Sequence, residues 1–175
     1  ELFAGKTYPW EALADISGFI MKLGPTLDPA LYEHRGEDIW VARDAVVSPS
    51  AYLSGPLIID RGAEVRHCAF IRGSAIVGKG AVVGNSTELK NCVLFDKVQV
   101  PHFNYVGDSI LGYKAHMGAG AITSNVRSDK KLVKVHTPEG DLETGLKKFG
   151  AMLGDDVEVG CNTVLNPGVV LGRGV

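Results

Sequence analysis

The stretch that decides the fold is Ile59–Leu89, IDRGAEVRHCAFIRGSAIVGKGAVVGNSTEL. Every sixth residue of it is aliphatic: Ile59, Val65, Ile71, Val77, Val83 and Leu89. The residue four places after each of the first five is small: Ala63, Ala69, Ala75, Ala81 and Thr87. A helix needs a period of 3.6 and a flat strand a period of 2, so a period of six fits neither. One repeat cannot bury its apolar side alone, and repeats must therefore stack. The pattern predicts a mostly β fold, a single-stranded left-handed parallel β-helix with three six-residue sides per coil.

The same period extends toward both ends of the chain. It begins at Val41, and it shortens to five residues between Leu89 and Leu94 and again between Val106 and Leu111. It pauses after Thr123 and resumes from Leu153 to Leu171. A five-residue side shortens a coil without changing which residues face the interior, so we expect one continuous prism with an insertion.

Composition limits the classes of function. The net charge is -2, which argues against nucleic acid or an anionic membrane as the main partner. No apolar run approaches the roughly 20 residues that a membrane span needs. The three cysteines form no CxxC motif, as expected for reduced thiols in a cytoplasmic protein.

Two regions lie outside the repeat. Residues 1–38 are expected to form a helical N-terminal cap and linker, with a helix over 7–24, a second short helix at Asp28-Pro29, and both covering the open end of the prism. Residues 39–175 are then expected to form the β-helix domain, with an inserted loop at 124–150. That loop contains a predicted β-hairpin with its turn at Pro138–Asp141. The chain stops inside a repeat at Val175, so we expect further coils beyond it.

Polar residues gather at one corner of the predicted prism. Arg72 and Lys90 follow equivalent inward residues on neighbouring coils, about 4.8 Å apart. Two stacked cations favour a shared anion such as phosphate, with a solvated charge ladder as the alternative. Glu88 and Tyr105 lie at the same corner. Asn125 follows one coil later, and His102 starts the face that Tyr105 ends.

Three segments carry a family resemblance: Asn85–Lys90 (NSTELK), His102–Asp108 (HFNYVGD) and the run from Gly118 to Asn125. With them the chain resembles the hexapeptide-repeat acetyltransferase domain of the bifunctional sugar-1-phosphate nucleotidylyltransferase and glucosamine-1-phosphate N-acetyltransferase family. The resemblance covers about residues 40 to 175 and is strongest to the archaeal members. It implies acetyl-CoA as co-substrate, an amino-sugar-1-phosphate as acceptor, a role in nucleotide-sugar (UDP-GlcNAc-type) biosynthesis, a homotrimer with active sites between subunits, and a nucleotidylyltransferase as possible partner.

The resemblance also implies roles for single residues. His102 corresponds to the general base, and Ala119 and Cys161 correspond to contacts with acetyl-CoA. The implied substrate-binding residues are Arg72, Glu88, Lys90, Tyr105, His116, Asn125 and Lys131. His116 stands where bacterial members have an asparagine, so the identity of the sugar is open.

The expected chemistry follows from these roles. An ammonium must lose a proton before its nitrogen attacks a thioester, and a neutral imidazole such as that of His102 can accept the proton. Backbone N–H groups around Gly118–Gly120 are the expected donors to the oxyanion. No covalent intermediate and no metal are needed.

Two other classes of function stay open. One is a catalytically silent trimer that regulates a nucleotidylyltransferase. The other is a zinc hydratase of the γ-carbonic anhydrase type, which shares the prism. The second is disfavoured because the five histidines offer no pair spaced as H-x4-H.

Overall fold

The computed structural model describes all 175 residues, and the chain folds as a left-handed parallel β-helix, as predicted. The structure has twenty short strands, of which β15 and β16 form a hairpin outside the coils. In chain order they are β1 (Tyr32–His34), β2 (Ile39–Ala42), β3 (Val46–Val47), β4 (Tyr52–Ser54), β5 (Leu57–Ile59), β6 (Glu64–Val65), β7 (Phe70–Arg72), β8 (Ala75–Val77), β9 (Val82–Asn85), β10 (Glu88–Leu94), β11 (Gln99–His102), β12 (Tyr105–Leu111), β13 (His116–Met117), β14 (Ile122–Thr123), β15 (Lys134–Thr137), β16 (Gly140–Glu143), β17 (Ala151–Leu153), β18 (Glu158–Val159), β19 (Val164–Leu165) and β20 (Val169–Leu171).

The strands stack into three faces of parallel pairs. The first face holds β2, β5, β8, β17 and β20, the second holds β3, β6, β9, β11, β13 and β18, and the third holds β4, β7, β14 and β19. Strands β10 and β12 contain the two five-residue steps and bend around a corner. Their first halves pair on the third face and their second halves on the first.

The repeat residues fill the interior. From Ile59 to Leu165 the aliphatic residues of the period are buried, and the small residues four places later pack among them in one core cluster. Thr123 is the polar exception among the residues at the aliphatic positions of the period. Its Oγ1 accepts a hydrogen bond from the N–H of Gly107 at 2.9 Å, so the hydroxyl is satisfied inside the core. The inward pattern predicted from the sequence is therefore confirmed.

Most corners turn through a residue with positive φ. At the corner between the second and third faces these residues are Cys68, Ser86, Phe103, Gly120 and Asn162. Asparagine, aspartate and glycine tolerate this conformation, whereas a bulky residue is strained in it. Phe103, with φ 51° and a side chain that is 61% exposed, is the clearest case of such strain.

The N-terminal segment differs from the prediction in form and in position. The expected helix over 7–24 consists of a 3₁₀ helix at Pro9–Ala14, an α-helix, α1, at Ile16–Leu23, and a second 3₁₀ turn at Gly24–Thr26. The segment after Asp28 is a turn, because the Asp28 carboxylate caps the N–H of Ala30 at 2.8 Å and the chain then enters β1. The second helix predicted there was wrong.

The helices lie along the side of the prism and do not cap its end. Trp10, Leu13, Ile16 and Ile20 are buried against outward-facing residues of the first face, which the structure places in one cluster: Trp40, Ile58, Val93, Ile110 and Met152. Because these outward side chains are apolar, that face must be covered. At the end of the prism, β1 pairs antiparallel with β2 and covers that edge.

The segment between β14 and β17 carries the predicted hairpin. Strands β15 and β16 pair antiparallel around a two-residue turn at Pro138-Glu139. Val133, Val135 and Phe149 anchor the segment in the same apolar cluster as the helices. Its two ends meet where the N–H of Phe149 donates to the carbonyl of Asn125 at 2.9 Å. No helix in the structure has the length and apolar character to cross a membrane.

Candidate active site

The outer surface of the third face carries two columns of side chains, one on each flank of the inward residues. Phe70, Glu88 and Tyr105 stand in register in the first column, and Arg72, Lys90 and Gly107 follow them in the second. Their order results from the six-residue period, which places equivalent residues of successive coils one above the other. The predicted gathering of Arg72, Glu88, Lys90 and Tyr105 is therefore present.

The two cations are separately paired. The Nε atom of Arg72 lies 3.0 Å from Oε1 of Glu88, and both side chains are substantially exposed. The Nζ atom of Lys90 lies 2.8 Å and 3.1 Å from the two carboxylate oxygens of Asp108. Each cation is thus paired with a carboxylate of its own, and a shared phosphate between Arg72 and Lys90 stays a prediction.

The phenol of Tyr105 lies across the third face above Gly107. A Cβ atom at position 107 would come within 2.4 Å of the tyrosine oxygen, so only glycine leaves room for the ring. The hydroxyl accepts a hydrogen bond from Nδ2 of Asn125 at 3.2 Å. Burial raises the pKa of Tyr105, and the negative charges of Asp108 and Glu88 raise it further, so the hydroxyl stays protonated at neutral pH.

Asp108 is the centre of the cluster, and the sequence prediction missed it. It lies at the corner between the third and first faces, with a positive φ, and is 3% exposed. Asn91 and Asn125 occupy the equivalent places one coil before and one coil after, and both donate their amide to its carboxylate. We call these three residues the aspartate ladder. The spacing of 17 residues from Asn91 to Asp108 and again from Asp108 to Asn125 was the available signal.

His102 lies at the other edge of the third face, at the end of β11. The register of the second face stacks it on Asn85 before it and, by extension of the pairing between β11, β13 and β18, on Ala119 and Cys161 after it. Two backbone bonds hold this stack, one from Gly120 N–H to the His102 carbonyl and one from Asn162 N–H to the Ala119 carbonyl. We call Asn85, His102, Ala119 and Cys161 the histidine column. The imidazole of His102 is exposed and forms no side-chain hydrogen bond in the structure.

Asn104, inside the same corner, fixes the backbone of His102. Its Oδ1 accepts the N–H of His102 at 3.0 Å, and its Nδ2 donates to the carbonyls of Gly118 and Ala121. The side chain is 2% exposed and fully bonded. Sequence reasoning assigned it no role, although a polar residue at the small inward position of the repeat was a usable signal.

Most of the expected backbone donors near the glycine turn are already used. Gly118 N–H donates to the Val159 carbonyl at 2.7 Å, and Gly120 N–H donates to the His102 carbonyl at 3.0 Å. The N–H of Ala119 between them forms no hydrogen bond. Among the three groups, only Ala119 can donate to a ligand without breaking a bond between coils.

Two of the expected substrate residues lie apart from the cluster. His116 begins β13 at the far end of the second face from His102, and its Nδ1 lies 2.7 Å from the carboxylate of Glu158. Lys131 is exposed, and its side chain contacts no partner in the cluster. No group of three or more His, Cys, Asp or Glu side chains is arranged to hold a metal ion.

Comparison with known proteins gives three findings. The family described as GMPPB C-terminal domain matches residues 53–174. A protein of Methanococcus aeolicus named bifunctional protein GlmU is 41% identical over 90 residues, which are 51% of this chain and 22% of the relative. A bifunctional sugar-1-phosphate nucleotidylyltransferase/acetyltransferase of Sulfurisphaera tokodaii is 38% identical over 90 residues, with the same shares of 51% and 22%.

Among solved structures, a hexapeptide transferase family protein from Anaplasma phagocytophilum aligns with a TM-score of 0.55 at 17% identity, over 77% of this chain and 69% of that one. At that identity the likeness shows the fold alone. The chain spans about a fifth of the length of the two curated relatives. The resemblance predicted from the three motif segments is confirmed by these matches.

Proposed function

Because the chain belongs to the family of GMPPB C-terminal domains, we propose that it is an acyltransferase that moves an acetyl group from acetyl-CoA to the amine of an amino-sugar-1-phosphate. Glucosamine-1-phosphate is the first candidate acceptor. The relatives from Methanococcus aeolicus and Sulfurisphaera tokodaii support this choice, since the second carries an acetyltransferase and a sugar-1-phosphate in its name.

The observation that carries the proposal is the histidine column. It sets an imidazole with no intramolecular partner, His102, one coil away from a backbone donor with no partner, the N–H of Ala119. Successive coils are about 4.8 Å apart. A proton acceptor and an oxyanion donor at that separation can act on the two sides of one tetrahedral centre.

In the proposed reaction the neutral imidazole of His102 accepts a proton from the attacking amine. The nitrogen lone pair forms the bond to the thioester carbon, and the carbonyl oxygen takes the negative charge and receives the hydrogen bond of Ala119 N–H. Collapse of this intermediate expels the CoA thiolate, which takes the proton from the imidazolium of His102 and restores the neutral imidazole. Cys161, the next residue of the column, lines the acetyl-CoA side as a contact and takes no part in bond making.

The polar cluster on the third face is the proposed acceptor site. Arg72 pairs with Glu88 at Nε, and its terminal guanidinium nitrogens form no hydrogen bond in the structure, so they can donate to a phosphate. Lys90 is bonded to the carboxylate of Asp108, and its charge adds positive potential beside the acceptor site. Glu88, Tyr105 and Asn125 bind the sugar. His116 and Lys131 stay candidates only as residues that act across an interface between chains.

The assembly proposed for this activity is a homotrimer with active sites between subunits. A nucleotidylyltransferase is the partner that would use the product, since an N-acetyl-sugar-1-phosphate is the substrate of such an enzyme in nucleotide-sugar synthesis. For the product class we propose UDP-N-acetylglucosamine precursors, and for the place of action the cytoplasm.

The experiment is an acetyl-transfer assay on the purified protein, read as thiol release from acetyl-CoA. Glucosamine-1-phosphate and galactosamine-1-phosphate are tested as acceptors, with glucose-1-phosphate as the control that lacks the amine. Thiol release that depends on the amine supports the proposal. Equal release with glucose-1-phosphate would overturn the assignment of the amine as the acceptor. No release with either amino sugar would overturn the proposal in favour of a catalytically silent scaffold.

A further inference from the structure

The aspartate ladder links the cation Lys90 to the phenol of Tyr105 through a single buried carboxylate. Oδ1 of Asp108 accepts from Nζ of Lys90 at 2.8 Å and from Nδ2 of Asn91 at 2.9 Å. Oδ2 accepts from Nδ2 of Asn125 at 2.5 Å and from Lys90 at 3.1 Å. Asn91 also donates to the carbonyl of Leu13, which ties the N-terminal 3₁₀ helix to the same group.

An ionised carboxylate can only accept hydrogen bonds, and this fixes the direction of the chain of bonds. Beside the Asp108 carboxylate, the amide of Asn125 must present its NH₂ group, because its oxygen would be repelled. One amide hydrogen goes to Oδ2 of Asp108, and the other points to the oxygen of Tyr105 at 3.2 Å. The tyrosine oxygen therefore accepts from Asn125.

The proton of the tyrosine hydroxyl is then left to donate outward. No carboxylate accepts it within the structure, and the ring lies on the open surface of the third face above Gly107. We propose that Asp108 is a positioning residue that makes Tyr105 an obligatory hydrogen-bond donor to the bound acceptor. The inference rests on the proposed function in that it takes Tyr105 to face the sugar phosphate.

The direction in which the Tyr105 hydroxyl donates restricts which substrate atom can face it. An obligatory donor selects an acceptor oxygen of the ligand, from a hydroxyl, the ring or the phosphate, and disfavours a protonated amine at the same place. The amine of the sugar must then lie away from Tyr105, on the side of His102. The raised pKa of Tyr105, caused first by burial and then by the charges of Asp108 and Glu88, preserves the hydroxyl proton for this role.

Replacing Asp108 by Asn should reverse the chain of bonds. Lys90 and Asn91 both donate at Oδ1, so that position keeps an oxygen and the new NH₂ group faces Asn125. The Asn125 amide must turn over to accept it, and its oxygen then accepts the tyrosine proton. In Asp108→Asn the hydroxyl of Tyr105 is used inside the protein and no longer serves the ligand.

A double-mutant cycle with Tyr105→Phe tests this, with glucosamine-1-phosphate affinity measured by calorimetry. In the wild-type background, loss of the hydroxyl should weaken binding about tenfold, the usual worth of one hydrogen bond. In the Asp108→Asn background the same loss should cost less than about twofold. The matched control is Asp96→Asn, a corner aspartate outside the cluster whose oxygen still accepts the Lys79 N–H. There the tenfold loss should persist. A tenfold loss in both backgrounds would overturn the proposal.

A second measurement needs no ligand and no folded Asp108 variant. In ¹⁵N-labelled wild-type protein, the side-chain amide of Asn125 should show one downfield proton protected from exchange, identified by its disappearance in Asn125→Ala. Two freely exchanging protons would overturn the role of Asp108. If glucosamine-1-phosphate does not bind at all, the proposed function fails, and the amide signal still decides whether Asp108 orients Asn125.

Discussion

Lys90 and Arg72 look equivalent in sequence, but removing them should have very different effects on stability. Asp108 is buried, and the Lys90 side chain is 23% exposed. Removing one partner of a buried pair costs about 3–5 kcal/mol, because the remaining charge is left unpaired. Asp108 keeps its two amide donors and water can reach the vacated place, so we expect Lys90→Ala to lower the free energy of unfolding by about 2–4 kcal/mol.

Arg72→Ala should cost much less. The Arg72 and Glu88 side chains are 46% and 33% exposed, and exposed pairs contribute about 0–1 kcal/mol. Urea unfolding at one fixed protein concentration measures both variants, with the exposed Lys79→Ala as control. The double variant Lys90→Ala/Asp108→Asn should be more stable than Lys90→Ala, because an amide replaces the unpaired charge. Equal losses of unfolding free energy for Lys90→Ala and Arg72→Ala would show that the burial of Asp108 does not set the cost of losing its cation.

Three further predictions concern the core, the thiols and the assembly. Leu89→Ala, at a fully buried inward position, should lower the free energy of unfolding by about 2–5 kcal/mol, whereas Val164→Ala on the exposed surface should change it by less than about 0.5 kcal/mol; similar losses in urea unfolding would argue against the inward assignment. Burial raises the pKa of the Cys92 thiol to about 12, so at pH 8 Ellman's reagent should react quickly with Cys68 and Cys161 only. Acetyl-CoA should slow the reaction of Cys161 but not that of Cys68. Equal protection of both thiols would count against the acetyl-CoA contact. Sedimentation equilibrium should give three times the chain mass of 18.6 kDa, and a monomer at micromolar concentration would contradict the proposed trimer.

The period of six predicted the interior, because burial of one aliphatic and one small residue per side is what makes the coils stack. The same register predicted which residues share a column, including Glu88 with Tyr105. The stacking of Ala119 and Cys161 on His102 has the same origin, although the sequence argument obtained these residues from family resemblance. Position within a coil is thus accessible from the sequence once the repeat is recognised.

The position of the N-terminal helices could have been found and was missed. Ile58, Ile76, Val93 and Ile110 are outward residues of one face, and their aliphatic character shows that the face is covered. Because only the inward positions were used for the prediction, the helices were expected at the end of the prism. Outward apolar residues on a single face are the signal for a flanking segment.

The carboxylate partner of each cation could not be predicted from the repeat. Register places Arg72 above Lys90, but side-chain length and rotamer decide that Arg72 turns to Glu88 and Lys90 turns to Asp108. Likewise, the commitment of Gly118 and Gly120 to bonds between coils depends on the geometry of the turn and not on residue type. Sequence reasoning found the glycines as permissive positions without knowing which N–H was free.

The central claim is that His102 is the general base of acetyl transfer, and the most direct test compares His102→Ala with His67→Ala. His67 belongs to the corresponding corner two coils earlier, where it bonds Ser50 at 2.7 Å, so it controls for loss of an exposed imidazole. The account predicts that His102→Ala folds normally, binds glucosamine-1-phosphate as before and loses about 10² to 10⁴-fold in turnover, while His67→Ala keeps its turnover. Full turnover in His102→Ala with either amino sugar would contradict the account.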